Sequence, residues 1–256
     1  MVDRRTGLLW PTIASALAFV VLIGLGTWQV QRLKWKNHLI EQIEARVKAP
    51  PIPFEEALKR AQAGADLEYT HVRLRGQWHE GGPELYLWMP TQAGPGFHVY
   101  APLDTAPLDA GNRVVIVNRG FVPEARRDPA TRPEPKPDPT KAIEIVGLIR
   151  MPEAKGMFTP ENNPAKNIWY WRDLQGMAVA MKLDPEVLAP FFVEAEKGSA
   201  AGPFAPEGGV TRLEIPNNHL QYALTWYGIA ATLVGVYVAF VRSRLQRGSE
   251  DAKSAT

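Results

Sequence analysis

The chain has 256 residues, of which 45% are hydrophobic, and its net charge is only +2. It contains no cysteine, which excludes a disulfide scaffold, a thiolate metal site and a cysteine nucleophile. We expect no nucleic-acid partner.

Two stretches, Gly7 to Gln31 and Leu220 to Val241, contain no charged residue. Each is long enough to cross a hydrocarbon core of about 30 Å, which takes roughly 20 helical residues. The first stretch is predicted to be a retained anchor, because its apolar run exceeds a signal-peptide core and no small-x-small cleavage site precedes Arg32. Too few residues precede it for a mitochondrial presequence, which favours a bacterial protein.

Basic residues set the expected orientation of the two spans. Three of them follow the second stretch directly: Arg242, Arg244 and Arg247. The positive-inside rule then places the C-terminus in the cytoplasm and the long central segment in the periplasm. We therefore predict a multi-pass protein of the bacterial inner membrane, in contact with membrane lipid. The predicted segments are a cytoplasmic N-terminus (1–6), a first transmembrane helix (7–31), a periplasmic domain (32–218), a second transmembrane helix (219–241) and a cytoplasmic tail (242–256).

Helical periodicity persists beyond the first span, from 27 to 47, with charged residues between the apolar ones. The prolines of "APPIP" are expected to end this helix. The next segment, "FEEALKRAQAG" at 54–64, predicts a short helix closed by a glycine.

The hydrophobic pattern then changes to a period of two residues. "EYTHVRLRGQW", 68–78, alternates apolar and polar residues as a half-buried strand does. Further strands are predicted at "ELYLWM", "GFHVYAPL", "NRVVIVNRGFV", "KAIEIVGLIR", "APFFVEAE" and "GGVTRLEI", an exposed loop at 128–139, and a short helix within "NIWYWRDLQGMAVAMK". The regular turns favour an antiparallel meander. The expected class is an α+β membrane protein, with two transmembrane helices flanking a mostly antiparallel β-sheet domain with a few short helices; the pattern leaves closure into a barrel open.

Enzyme signatures are missing from the sequence: it has no phosphate loop, no paired metal histidines at helical spacing and no nucleophile elbow, so we expect no enzyme. His71 and His79 are eight residues apart, and the preferred interpretation is two exposed strand-end imidazoles rather than a metal site. In "VNRGFVP", Gly120 is expected to supply an unusual backbone conformation, and Asn118 and Arg119 to pair with carboxylates.

The segment "NNHLQYALTWYG" opens the second span. Asn217 or Asn218, after Pro216, is the expected helix cap, which puts His219 in the first turn. The positive end of the helix disfavours imidazolium, and a neutral imidazole is a metal ligand. Tyr222 and Trp226 follow at i+3 and i+7, on the same side of the helix.

Two interpretations of His219 remain open from spacing. It is either an iron ligand beside an aromatic face or one member of an interfacial belt of aromatic and polar residues. Small residues are expected to let the two spans approach closely, with Trp28 near the same boundary: Gly24, Gly26, Gly228, Ala231 and Gly235.

The sequence resembles the Surfeit-locus family of cytochrome c oxidase assembly factors. The resemblance covers roughly 8–245 and is carried by "LGTWQVQRLKWK", "LRGQW", "VNRGFVP", "IWYWRD" and "NNHLQYALTWYG". It implies a biogenesis factor that transiently binds haem a, with His219 as the metal ligand, and that presents the haem to oxidase subunit I. Tyr222, Trp226, Trp28 and Arg32 are the remaining expected cofactor-binding residues, and haem a synthase is a further candidate partner. The alternative is a membrane scaffold that stabilises oxidase subunits without binding haem.

Overall fold

The structure is a computed structural model that describes residues 6–91, 94–105, 113–132, 140–197, 206, 208–209 and 217–253. Four α-helices and seven β-strands occur in these ranges: α1 (Thr6–Lys48), β1 (Ile52–Pro53), α2 (Phe54–Gln62), β2 (His71–Trp78), β3 (Leu85–Thr91), β4 (Gly94–Thr105), β5 (Val114–Pro123), β6 (Ile143–Arg150), α3 (Leu174–Met181), β7 (Leu188–Ala195) and α4 (His219–Lys253). The chain divides into a helical unit, Met1–Gln42 with Glu214–Thr256, and a sheet unit, Ile43–Leu213.

Two helices are long and apolar enough to cross a membrane. They are Leu8–Lys48 and His219–Arg247, whose apolar 18-residue windows have mean hydropathies of 2.2 and 1.7. The first continues without a break to Lys48 and stops before the prolines that follow, which confirms the predicted extension beyond the apolar stretch.

In the helical unit, α1 and α4 run antiparallel, because residue numbers rise along one helix as they fall along the other. Three polar contacts join them: Thr12–Tyr237 at 2.6 Å, Thr27–Tyr227 at 3.3 Å and Gln29–His219 at 2.7 Å. A fourth, Asn37–Asn217 at 2.7 Å, joins α1 to the segment just before α4. Such bonds contribute to pairing between apolar helices, where hydrophobic burial gives little driving force.

The close approach of the helices occurs at Gly26. A Cβ at this position would lie 2.5 Å from the ring of Tyr227, whereas Gly24, Gly228 and Gly235 have open space around them. The other expected contact residue, Ala231, is exposed. The buried alanines of α4 are instead Ala223 and Ala230, each 1% exposed. The predicted small-residue contact is therefore right for Gly26 and wrong for the other four positions.

The sheet unit contains a closed ring of five strands. The order β2–β6–β7–β5–β4 returns to β2, because Gly76 pairs with Ile143 of β6 on one side and Thr105 of β4 on the other. The short β1 adds to β2, and β3 adds to β4. The predicted class of two flanking helices and a mostly antiparallel sheet is confirmed, and the sheet closes into a barrel.

The prediction of an antiparallel meander was only partly correct. Strands β3, β4 and β5 are consecutive antiparallel neighbours, but β6 and β7 insert between β2 and β5. As a result β7 runs parallel to β5, a pairing that turn residues do not reveal. Most of the predicted last strand, 208–215, lies outside the described residues, as do Pro216 and 133–139 of the predicted loop.

Most of the remaining local predictions for the sheet unit hold, but the predicted exposed loop at 128–139 begins with a 3-10 turn, Pro129–Thr131, and its Arg132 is buried. Helix α2 ends at Gln62 and is followed by Gly64 at φ 78°. Strand β2 buries Val72, Leu74 and Gly76 and exposes the residues between them. One apolar cluster draws on every strand of the ring and on α2, and a second lies between α3 and strands β3, β4, β5 and β7.

Substituting Gly26 tests the helix contact. In Gly26→Val the added carbons occupy the space of the Tyr227 ring, and overpacking of this kind costs about 1–3 kcal/mol. We expect a lower yield of cross-linking by a short bismaleimide between Thr12→Cys and Tyr237→Cys, placed in the cysteine-free chain. Gly24→Val is the matched control and should cross-link like the parent; equal yields in both variants would contradict the assigned contact.

A buried histidine in the sheet unit predicts a pH dependence of stability. His98 is 5% exposed, and burial lowers its pKa below the ordinary 6.5. Below about pH 6.5 the unfolded chain therefore binds a proton that the folded chain does not, so the free energy of unfolding falls with falling pH. His98→Gln keeps an acceptor for Asn118 and should flatten this slope, measured by denaturation of the detergent-solubilised chain; the exposed His38→Gln should leave it unchanged.

Candidate functional site

Helix α4 begins at His219. The backbone N–H of Tyr222 donates to the carbonyl of Asn218 at 3.2 Å, so Asn218 occupies the N-cap position. The side chain of Asn217 is used elsewhere, because its Nδ2 donates to Oδ1 of Asn37 at 2.7 Å. Of the two proposed cap residues, the structure therefore selects Asn218.

The imidazole of His219 is held by a residue of the other helix. Its Nδ1 lies 2.7 Å from Oε1 of Gln29, and the amide oxygen accepts a hydrogen bond from Nδ1–H. The proton on Nδ1 leaves Nε2 with its lone pair, the nitrogen that can ligate a metal. Ligating histidines in metalloproteins are usually oriented by a hydrogen bond of this kind through the other ring nitrogen.

The other predicted cofactor-binding residues present varying amounts of surface. Trp28 and Tyr222 are 51% and 56% exposed, and Trp226 is half-buried. The guanidinium of exposed Arg32 lies 4.6 Å from the ring centroid of Trp35. An imidazole oriented through Nδ1 has the donor chemistry of an axial haem ligand, and the roles assigned to these residues stay predictions.

Sequence reasoning missed Gln29. The available signal was its position, since a strongly polar side chain near the end of an otherwise apolar stretch must find a polar partner. Only the fold identifies that partner as His219, 190 residues further along the chain.

A second candidate site lies in the sheet unit, around a cavity of about 510 Å³. It lies where β2 ends, beside the turn to β3 and the middle of β5. Its lining comprises Trp78, His79, Gly81, Gly82, Glu84, Tyr86, Ala101, Arg119, Pro129 and Asn167. Two of the motifs behind the family resemblance each supply one residue, Trp78 at the end of "LRGQW" and Arg119 in "VNRGFVP", and Asn167 directly precedes a third motif, "IWYWRD".

A β-bulge directs Arg119 into this cavity. Val99 pairs with Gly120 and Tyr100 with Asn118, so Arg119 is the extra residue of β5. Gly120 has φ 126°, as its predicted unusual conformation requires, and its N–H donates to Oδ1 of Asn118 at 2.9 Å. The bulge therefore follows from the Asn-Arg-Gly sequence.

The partners of this motif differ from expectation in one respect. Arg119 donates through Nη1 to Oε1 of Glu84, which confirms the predicted pairing with a carboxylate. Asn118 was expected to bind a carboxylate too, but its Nδ2 donates to Nδ1 of His98 at 2.7 Å. An acceptor on a neutral buried ring satisfies the amide without placing another charge in the interior.

Glu84 is shared by two buried guanidiniums. Besides Arg119, Arg132 contacts its Oε2 at 2.9 Å and donates through Nη2 to the hydroxyl of Tyr86 at 3.2 Å. Burial, reinforced by the neighbouring Glu84 charge, raises the pKa of Tyr86 to about 12, so the phenol stays protonated and donates to Glu84.

His71 begins β2 and His79 directly follows it, and the two histidines have separate partners. Nδ1 of His79 lies 2.9 Å from Oδ1 of Asp104, and Nδ1 of His71 lies 3.0 Å from the carbonyl of Ala49. Among the described residues, no three His, Cys, Asp or Glu side chains come together as a metal site. The interpretation as exposed imidazoles is wrong for His71, whose side chain is 14% exposed with Nε2 2.6 Å from Oε1 of Glu196. It also did not anticipate that His79 lines the cavity.

Comparison with known proteins gives a consistent result. The SURF1 family model matches residues 16–231. Surfeit locus protein 1 of Mus musculus is 39% identical over 235 residues, covering 86% of this chain and 72% of the mouse protein. The Homo sapiens protein of that name is 36% identical, covering 83% and 71%, and a SURF1-like protein of Monosiga brevicollis is 33% identical, covering 94% and 90%.

The orientation of His219 can be tested without any cofactor. Gln29→Leu removes the acceptor of Nδ1–H, so the ring should shift towards the Nε2–H tautomer that predominates for a solvated imidazole. Nitrogen-15 chemical shifts of the labelled histidine rings at alkaline pH report this tautomer ratio. Gln31→Leu, two residues along α1, is the control and should leave the His219 signals unchanged; an unaltered ratio in Gln29→Leu would contradict the hydrogen bond.

Proposed function

Because this chain belongs to the SURF1 family, we propose that it is an assembly factor for a haem–copper cytochrome c oxidase that receives haem a on His219 and assists its insertion into subunit I. The expected family resemblance is confirmed by the comparisons. The steps involving haem are our proposal, and they follow from the geometry around the first turn of α4.

The observation that carries the proposal is the hydrogen bond between His219 and Gln29. It fixes the imidazole so that Nε2 keeps its lone pair. When bound, haem a supplies an iron that takes an imidazole nitrogen as axial ligand. The chain holds that nitrogen in place, and the exposed faces of Trp28 and Tyr222 offer apolar area to the macrocycle.

A transient carrier must also release its cargo. The bonding partner of His219 is a neutral amide, which polarises the imidazole less than a carboxylate would. His219 and its partner Gln29 also lie between two helices and not inside a closed core. Both helices expose large apolar side chains. These features suit a site that exchanges its ligand with subunit I better than one that retains it.

The proposed location follows from the two apolar helices. They support association with a membrane, and the arginines that follow the apolar stretch of α4 support an inner-membrane protein whose sheet unit faces the periplasm. Haem a has a large apolar macrocycle, so a donor such as haem a synthase would pass it on within the same bilayer.

Replacing His219 is the direct test. The full chain, purified in detergent from cells that make haem a, should carry haem with a histidine-ligated spectrum. His219→Ala should lower the haem-to-protein ratio by about tenfold or more, in line with the loss of a metal-site group. His38→Ala is the matched control, since His38 is also a helical histidine bonded to a glutamine, Gln42, at 3.1 Å.

Two outcomes would contradict haem binding at this site: wild-type protein without haem, or equal haem in both variants. Capture of subunit I is then measured in cells that lack haem a. Retained capture would favour the scaffold role, and lost capture together with absent haem would remove the assembly proposal as a whole.

A further inference from the structure

We propose that the cavity of the sheet unit binds a small carboxylate carried on a flat apolar body. The cavity, of about 510 Å³, falls within the range of small-molecule sites and is lined by both aromatic and charged side chains. It lies wholly within the sheet unit, so the inference is independent of the proposed haem site.

Two cationic or polar donors line the cavity. Arg119 presents a guanidinium, whose planar fork matches the geometry of a carboxylate. His79 is fixed through Nδ1 by both oxygens of Asp104, at 2.9 and 3.0 Å, which leaves Nε2 as the ring atom available to a ligand. When protonated, this imidazole donates a second charge-assisted hydrogen bond to an anion.

The carboxylate already present does not oppose an anion strongly. Glu84 is bound by Arg119 and by Arg132, whose side chain is 3% exposed, so its negative charge is compensated from two sides. A carboxylate entering the cavity therefore meets Arg119 beside a glutamate whose charge two guanidiniums already compensate.

The rest of the cavity wall is formed by aromatic rings and by glycines without side chains. The guanidinium carbon of Arg119 lies 5.2 Å from the ring centroid of Trp78, so the charged group and the indole form one continuous surface. Tyr86 provides a second ring, and Gly81 and Gly82 leave the turn without bulky side chains. A flat ring that carries a carboxylate can contact this surface, whereas a bare inorganic anion uses only its charged part.

Benzoate is the probe, titrated into the full chain in detergent and followed by calorimetry. We expect saturable binding at least about tenfold tighter than that of acetate, because aromatic contact is worth roughly a factor of ten. Benzylamine, which has the same body with the opposite charge, should not bind. With all five histidine rings labelled, benzoate should shift the signals of His79, identified by their loss in His79→Gln.

His79→Gln should weaken benzoate binding about tenfold, through loss of one charge-assisted hydrogen bond. This substitution is mild for the fold, since the side chain is 37% exposed, and His38→Gln in the helical unit should have no effect. Absence of saturable benzoate binding, equal binding of acetate, benzylamine or inorganic phosphate, or equal weakening in both variants would overturn the proposal. Arg119→Lys replaces the planar guanidinium by an ammonium group. An unchanged affinity for benzoate in this variant would also contradict the proposal.

Discussion

The arrangement of the helical unit depends on the contact between the ring of Tyr227 and the backbone of α1 at Gly26. Between apolar helices, burial of apolar surface gives little driving force, so close packing and a few polar bonds must hold the pair. The Tyr227 hydroxyl also reaches Thr27, which joins both kinds of interaction in one side chain. The register set here brings His219 beside Gln29, and the candidate ligand is oriented as a consequence of packing.

In the sheet unit, closure of the barrel has a comparable role. A closed ring leaves no unpaired edge within it, and it brings together residues that are far apart in the chain. The bulge at Arg119 turns one strand position towards the cavity, where it meets Glu84 from the turn after β2. The two candidate sites therefore arise from different physics, helix packing in one unit and strand register in the other.

Local patterns were sufficient for much of this structure. Alternation predicted β2, proline predicted the end of α1, and glycine after α2 predicted its termination, because each depends on residues within a few positions. Strand order was not predictable in this way. The parallel pairing of β5 with β7 depends on long-range packing, for which turn residues carry no information.

The candidate site shows the same division. His219 was identifiable from its place at the start of an apolar helix, but Gln29 was not, since nothing local indicates which face of α1 meets α4. Asn118 was expected to bind a carboxylate and instead binds a histidine of the adjacent strand. The choice of partner there depends on the bulge register, which is a property of two strands together.

The late position of β7 has a consequence for biogenesis of the chain itself. This strand closes the ring between β5 and β6. The facing edges of those two strands therefore stay uncovered until residues 188–195 have been synthesised. A nascent or truncated chain that ends earlier exposes two open strand edges, which are templates for pairing with other chains. Premature termination should therefore give a self-associating product rather than a smaller folded domain, and quality control during synthesis has a clear physical feature to recognise.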